Sequence, residues 1–248
     1  MRYLLLFLLS LPLVVHSQDQ VLNKGTGLIV GFTYGIHFPQ EELEVRFGQF
    51  NAVGSSFEIL TPESNFIIGL TGSFLFGTEV KTDVLAGLRT TEGLIYGNDR
   101  NVADIQLRQR GFYIGGTLGK IFSLSKANPR SGIKATLGIG LLQHKIRIQD
   151  DPNTSVPQLS EVNKKGYDRL TNGLAITQFL GYQYLSTDGR INFYFGLEAM
   201  QGFTANRRDF NFDTMSQDTE NRLDASIGVK VGWVLPFYIG KKAAQIYY

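Results

Sequence analysis

Strict alternation of bulky apolar residues with small or polar ones constrains this chain more than any other feature. Residues 28–38 read LIVGFTYGIHF, with Leu28, Val30, Phe32, Tyr34, Ile36 and Phe38 on one face. Ile29, Gly31, Thr33, Gly35 and His37 share the other. Successive side chains of a strand point to opposite faces, so this period of two specifies a ribbon with two unlike surfaces. Residues 223–237 repeat it, setting Leu223, Ala225, Ile227, Val229, Val231, Trp233, Leu235 and Phe237 against Asp224, Ser226, Gly228, Lys230, Gly232 and Val234. A soluble sandwich would turn its bulky face inward and a polar face to water. Here the bulky face is continuous and aromatic, while the small face carries a lysine. That combination suits the outside and the narrow lumen of a transmembrane barrel. The mean hydropathy, −0.05, averages the two faces and conceals the pattern.

Residues 51–60, 65–76, 111–122, 132–147, 173–185 and 190–203 alternate in the same way, although Gln178 falls on an apolar face. The phase slips at Leu141-Leu142, which predicts a bulge there. The total is eight strands, each close to the 9–11 residues that a tilted membrane span needs. Connections at 61–64, 123–131 and 186–189 are short and carry Pro62, Asn128-Pro129 and Asp188-Gly189. Those at 39–50, 77–110, 148–172 and 204–222 are longer. Short periplasmic turns alternating with long outer loops are the rule for bacterial barrels. The expectation is an all-β chain: a monomeric, eight-stranded antiparallel up-and-down transmembrane β-barrel with both termini periplasmic.

The N-terminus reads as an export signal. Arg2 precedes an apolar run from Leu4 to Val15, too short for a spanning helix, and Val15-His16-Ser17 fits a cleavage site. Residues 1–17 are therefore assigned to a signal peptide and 18–248 to the barrel, with a short periplasmic tail at about 238–248 and no second domain. With no cysteine, disulfides and Cys-ligated metals are excluded. A net charge of +2 argues against a nucleic-acid binder. In the last strand, Lys230-Val231-Gly232-Trp233-Val234-Leu235-Pro236-Phe237 resembles the β-signal read by barrel-assembly machinery, which makes that machinery a partner for insertion. Pro236 cannot donate a ladder bond and belongs at the strand's end or rim.

The strings RFG (46–48), RGFYIGG (110–116), LQHKIRI (142–148), KGYDRLTNG (165–173), GYQYLS (181–186), INFYFG (191–196), QGFT with RRDFNFDT (201–214) and GWVLPFY (232–238) together resemble a family of small outer-membrane β-barrel proteins of Bacteroidota. In architecture that family is similar to OmpA/OmpX-type barrels. The resemblance implies a Gram-negative outer membrane and, for some members, a role beside large secretion or barrel-assembly machines. It brings no catalytic motif and no cofactor.

Eight strands leave a lumen just wide enough for side chains to fill. Glu58, Lys134, Glu198, Asp224 and Lys230 lie on the inner face, so an internal ion-pair network is expected, because buried charges need partners. A proton or ion path through the same groups is the functional alternative. His37 and His144 sit toward the outer strand ends, where lipid A chemistry would occur. A hydrolase also needs a serine within reach of histidine and an orienting acid, and no local motif supplies them. Two histidines make a poor metal site. Catalysis, cofactor and metal are therefore not expected, with a lipid-A-modifying enzyme or a small ligand-binding or narrow-channel barrel as the alternatives. The outer loops remain. Arg46, Lys165, Asp168, Arg169, Arg207, Arg208, Asp209, Phe210 and Phe212 are the candidate contacts to lipopolysaccharide or to another outer-membrane or secretion-complex protein.

Overall fold

The computed structural model describes residues 25–187 and 190–239. Eight antiparallel strands follow one another around a closed barrel: β1 (Thr26–Gln40), β2 (Phe50–Leu60), β3 (Phe66–Gly77), β4 (Gln106–Ser123), β5 (Gly132–Gln149), β6 (Thr171–Leu185), β7 (Asn192–Asn206) and β8 (Asn221–Ile239). Ring and strand number are those the alternation predicts. β1 pairs with both β2 and β8, so the sheet has no edge strand. The segments assigned to the signal peptide and the turn at Asp188-Gly189 lie outside the described residues, as does the tail from 240 onward. The strand runs two residues further into the expected tail, with Tyr238 opposite Gly27 and Ile239 opposite Thr26. Pro236 lies past the last β7–β8 pair, Phe193 with Trp233, where β8 has only β1 beside it.

The bulky face is outside. Leu118 is 62% exposed while its neighbour Thr117 is 9% exposed, and the same alternation runs around the ring. Phe32, Phe57, Ile68, Leu70, Ile114, Leu137, Ile139, Leu180, Leu197, Ile227 and Val229 all face outward. Aromatic pairs gather in this wall toward the short-turn end, with Phe32 and Trp233 at 6.0 Å and Tyr184 and Phe193 at 5.7 Å between ring centres. An apolar outer band with aromatic rings toward its end is the surface of a transmembrane barrel, because leaving so much apolar area in water would be costly.

The interior is layered. At the short-turn end Ile29, Leu60, Ile67, Ile121, Phe179, Leu185, Tyr194 and Val234 form an apolar plug. Arg130 closes it beneath, donating from Nη1 to the Thr61 carbonyl at 2.7 Å and from Nη2 to the Gly25 carbonyl. Charged and hydroxyl side chains fill the middle. At the other end, upper strand residues and loops build a second apolar cluster around Leu43, Phe47, Phe50, Leu75, Leu142 and Ile146. The long β3–β4 connection contributes Val84, Leu85, Ile95 and Ala103 to it, so that loop caps the lumen.

The expected bulge is absent. β5 keeps an unbroken register with β4 from Gly132–Ser123 to Gln149–Gln106, and with β6 across Leu141–Leu174 and Leu142–Gly173. What changes at Leu142 is polarity. Leu142, His144, Ile146 and Ile148 point inward and are buried, whereas Gln143, Lys145 and Arg147 point outward. Above the apolar wall the outside is wet and the inside is roofed by loops, so the pattern inverts without any shift of phase.

Candidate functional site

The inner-face charges resolve into two clusters. In the lower one, Lys134 Nζ donates to both oxygens of Glu58 at 2.9 and 2.7 Å and lies 4.4 Å from the centre of the Tyr194 ring. Lys230 Nζ donates to Glu198 Oε1 at 2.6 Å. His37 Nε2 stands 3.5 Å from Glu198 Oε2. Glycines make room for the rings: a Cβ on Gly232 would sit 2.5 Å from Tyr194 Cζ. The Lys134–Glu58 pair crosses the lumen from β5 to β2 and ties separate parts of the ring together, whereas Lys230 and Glu198 sit on the adjacent strands β8 and β7.

Asp224 belongs to a separate, upper cluster and is fully buried. It accepts from Arg46 Nη2 at 2.6 Å and from Thr204 Oγ1 at 2.5 Å, and His144 Nε2 lies 2.7 Å from its Oδ2. Arg46 comes from α1 (Glu41–Arg46), a short helix that dips into the barrel mouth, and its Nη1 reaches Thr171 Oγ1 at 3.1 Å. This corrects the placement of Arg46 among outer contacts: the residue is 7% exposed and points into the lumen. The cause is local. Leu43 and Phe47 on the same segment seat in the upper apolar cluster and draw Arg46 inward, where it neutralises a carboxylate that would otherwise be buried without a cation.

A third arrangement was not visible in the sequence. Ser226 Oγ lies 3.5 Å from His37 Nδ1, so Ser226, His37 and Glu198 stand in the order of a hydrolytic triad. Ser226 and His37 are 1% and 2% exposed, and the Phe50 ring stacks on the imidazole at 5.2 Å. In this conformation no substrate carbonyl reaches the hydroxyl. His37 Nε2 is buried without a hydrogen bond, with the Glu198 carboxylate 3.5 Å away. Among the described residues, no three His, Asp or Glu side chains converge on a common metal position.

The remaining outer residues mostly hold the loops to each other. Arg208 donates to both oxygens of Asp168 at 2.8 and 2.6 Å, and these bonds hold its guanidinium above the usual pKa. Arg169 pairs with Asp213, with Nε at 2.9 Å. Phe212 meets Tyr167 edge-on at 5.3 Å and Phe210 at 6.0 Å. Arg207 Nε donates to Asn172 at 2.5 Å. Lys165 and Asp209 stay exposed. The β5–β6 and β7–β8 loops thus form one braced unit, and Phe210 and Phe212, each about two-fifths exposed, are its apolar edge.

Closed ring, greasy wall and a lumen filled by side chains among the described residues together define the class: a small transmembrane β-barrel. No family model matches the chain, and no curated protein matches it. Among solved structures it is similar to Ail, the attachment invasion locus protein of Yersinia pestis, solved with the heparin analogue sucrose octasulfate (11% identity, TM-score 0.36, 86% of this chain and 99% of that one). It is also similar to the N-terminal β-barrel domain of Pseudomonas aeruginosa OprF (10%, 0.35, 84% and 97%) and to the outer-membrane protein OprG of Pseudomonas aeruginosa (10%, 0.38, 90% and 100%). Nothing about function follows from likenesses this remote.

Proposed function

We propose that this chain is a non-catalytic integral outer-membrane barrel that serves as a structural or accessory subunit of a larger outer-membrane assembly. On this reading residues 1–17 are an export signal, barrel-assembly machinery inserts the mature chain, the long loops face outward and both termini face the periplasm. The observation that carries the subunit role lies in the wall. Gln178 and Gln201 face outward within the apolar band, Gln178 between Ile176 and Leu180 and Gln201 between Ala199 and Phe203. Their register partners are Ala199 and Ile176 respectively, so the two amides are diagonal neighbours on β6 and β7. Neither makes a hydrogen bond to another described residue. Hydrocarbon offers an amide no partner, and an unsatisfied one there costs several kcal/mol. A protein surface bearing polar groups at the same depth would satisfy both, and small Ala199 and Ala225 beside them allow close approach.

Affinity purification of the tagged barrel from native membranes in mild detergent tests this. Co-purifying outer-membrane proteins, lost on Q178L/Q201L while the barrel still folds, are expected. Recovery as a lone monomer from both strains would refute the subunit role.

A further inference from the structure

We infer that the outward face of upper β4 and β5 is a binding site for the phosphate groups of an outer-leaflet lipid headgroup. Arg108 stands directly opposite Arg147, and Arg110 directly opposite Lys145. All four share the outward face with Phe112 and Ile114 of β4 and with Ile139 and Leu141 of β5, which lie below them toward the short-turn end. Successive outward residues are about 7 Å apart along a strand. On β4 the cations therefore begin one step above the apolar band, where headgroup phosphates of a surrounding membrane lie. This rests on the membrane reading above.

Like charges placed directly across a strand pair oppose folding unless something neutralises them. The chain supplies little. Lys145 Nζ is 3.6 Å from Asp168, which already holds Arg208 in a two-point pair. Arg108 donates to the neutral Gln106 side chain at 2.6 Å, and Arg110 to the Gln109 carbonyl at 2.7 Å. Arg108 Nε is buried with no partner. Among the described residues, no carboxylate forms an ion pair with Arg108, Arg110 or Arg147. The strands on either side do not continue the patch: Phe76 of β3 faces Arg110, and Asn172 of β6 faces Gln143. Guanidinium groups bind phosphate oxygens in two-point fashion, and three of them with one ammonium, grouped on two strands, suit a multiply phosphorylated headgroup. An acidic protein loop could meet the same charges, but their height beside the aromatic rings of Phe112 and Phe76 favours lipid.

The test uses the full mature chain folded into phosphatidylcholine vesicles doped with bisphosphorylated lipid A, alone or with inorganic phosphate in the buffer, or doped with a phosphate-free lipid A analogue. The vesicles are first floated on a density gradient. Failure to float would overturn the membrane reading itself. Floated protein is then extracted into mild detergent and its retained lipid measured by native mass spectrometry. Preferential retention of bisphosphorylated lipid A is expected, reduced roughly 25-fold by R110Q/R147Q at about fivefold per cation. R110K/R147K should retain most of it, and K120Q, a cation at the short-turn end of β4, should change nothing. Equal retention of the phosphate-free analogue, undiminished retention by folded R110Q/R147Q, or full displacement by inorganic phosphate would overturn the site.

Discussion

Replacing Lys134 by Met isolates what the lower cluster does for the barrel. The lysine is 2% exposed and its partner Glu58 6%, with Nζ 2.7 Å from the nearer carboxylate oxygen. At an effective dielectric constant of about 20 that separation corresponds to about 6 kcal/mol of attraction. Methionine keeps the length of the apolar stem but removes the ammonium from over the Tyr194 ring and leaves the carboxylate inside without a cation. Glu58 then takes up a proton or draws in water, which returns part of the loss. Breaking one side of a buried pair costs about 3–5 kcal/mol in such circumstances. The double variant E58Q/K134M removes both charges and should recover most of that cost. Urea unfolding in lipid vesicles, followed by the fluorescence of the single tryptophan, Trp233, measures all three proteins. Agreement between tryptophan signal and the mobility shift of unheated samples on gels establishes that one transition is being read. A loss below about 1 kcal/mol for K134M would refute the reasoning, since that is the range of exposed pairs. So would a double variant as unstable as the single one.

Three further perturbations follow from the same geometry. Leu118→Arg, at the middle of the outer wall, should destabilise the vesicle-inserted barrel by about 2–4 kcal/mol, whereas a surface wetted by water would absorb it within about 0.5 kcal/mol in the same urea titration. Asp168→Asn weakens the two-point pair with Arg208, at a cost of about 1–3 kcal/mol local to the loops; limited proteolysis should cut within 150–170 and 207–220 sooner while the barrel's circular dichroism is unchanged. Gly232→Val drives a side chain into the Tyr194 ring and should cost about 1–3 kcal/mol, checked by unfolding, with Tyr194→Leu as the compensating partner.

The ring was legible because lipid and a narrow lumen impose opposite demands on alternate residues over every strand, and a continuous aromatic face opposite a small, charge-bearing one separates that case from a soluble sandwich. Inner charges such as Glu58 and Lys134 could be placed on a face, but alternation fixes no partner. Pairing depends on register around the whole circle, so the union of Asp224 with Arg46 and His144 was invisible. The spacing of Leu43, Phe47 and Phe50 was the available signal that the β1–β2 connection folds inward. Arg130 was hidden for a similar reason: a cation beside Asn128-Pro129 reads as a wet turn, and only the plug beneath the lumen shows that its guanidinium is needed to cap backbone carbonyls. At Leu142 the sequence misled, because a pattern that inverts at the membrane boundary looks the same as one that slips by a residue.

Site-directed spin labelling along β5 tests most directly whether lipid bathes the apolar wall. The chain has no cysteine, so single cysteines can be placed one at a time from 134 to 147 without background labelling. In vesicles, labels at 137, 139 and 141 should collide with oxygen and be shielded from a water-soluble paramagnetic reagent. Those at 134, 136, 138 and 140 should be shielded from both, and accessibility to the aqueous reagent should rise at 145 and 147. Aqueous collisions at 137, 139 and 141 equal to those at 145 and 147 would contradict a membrane-facing wall.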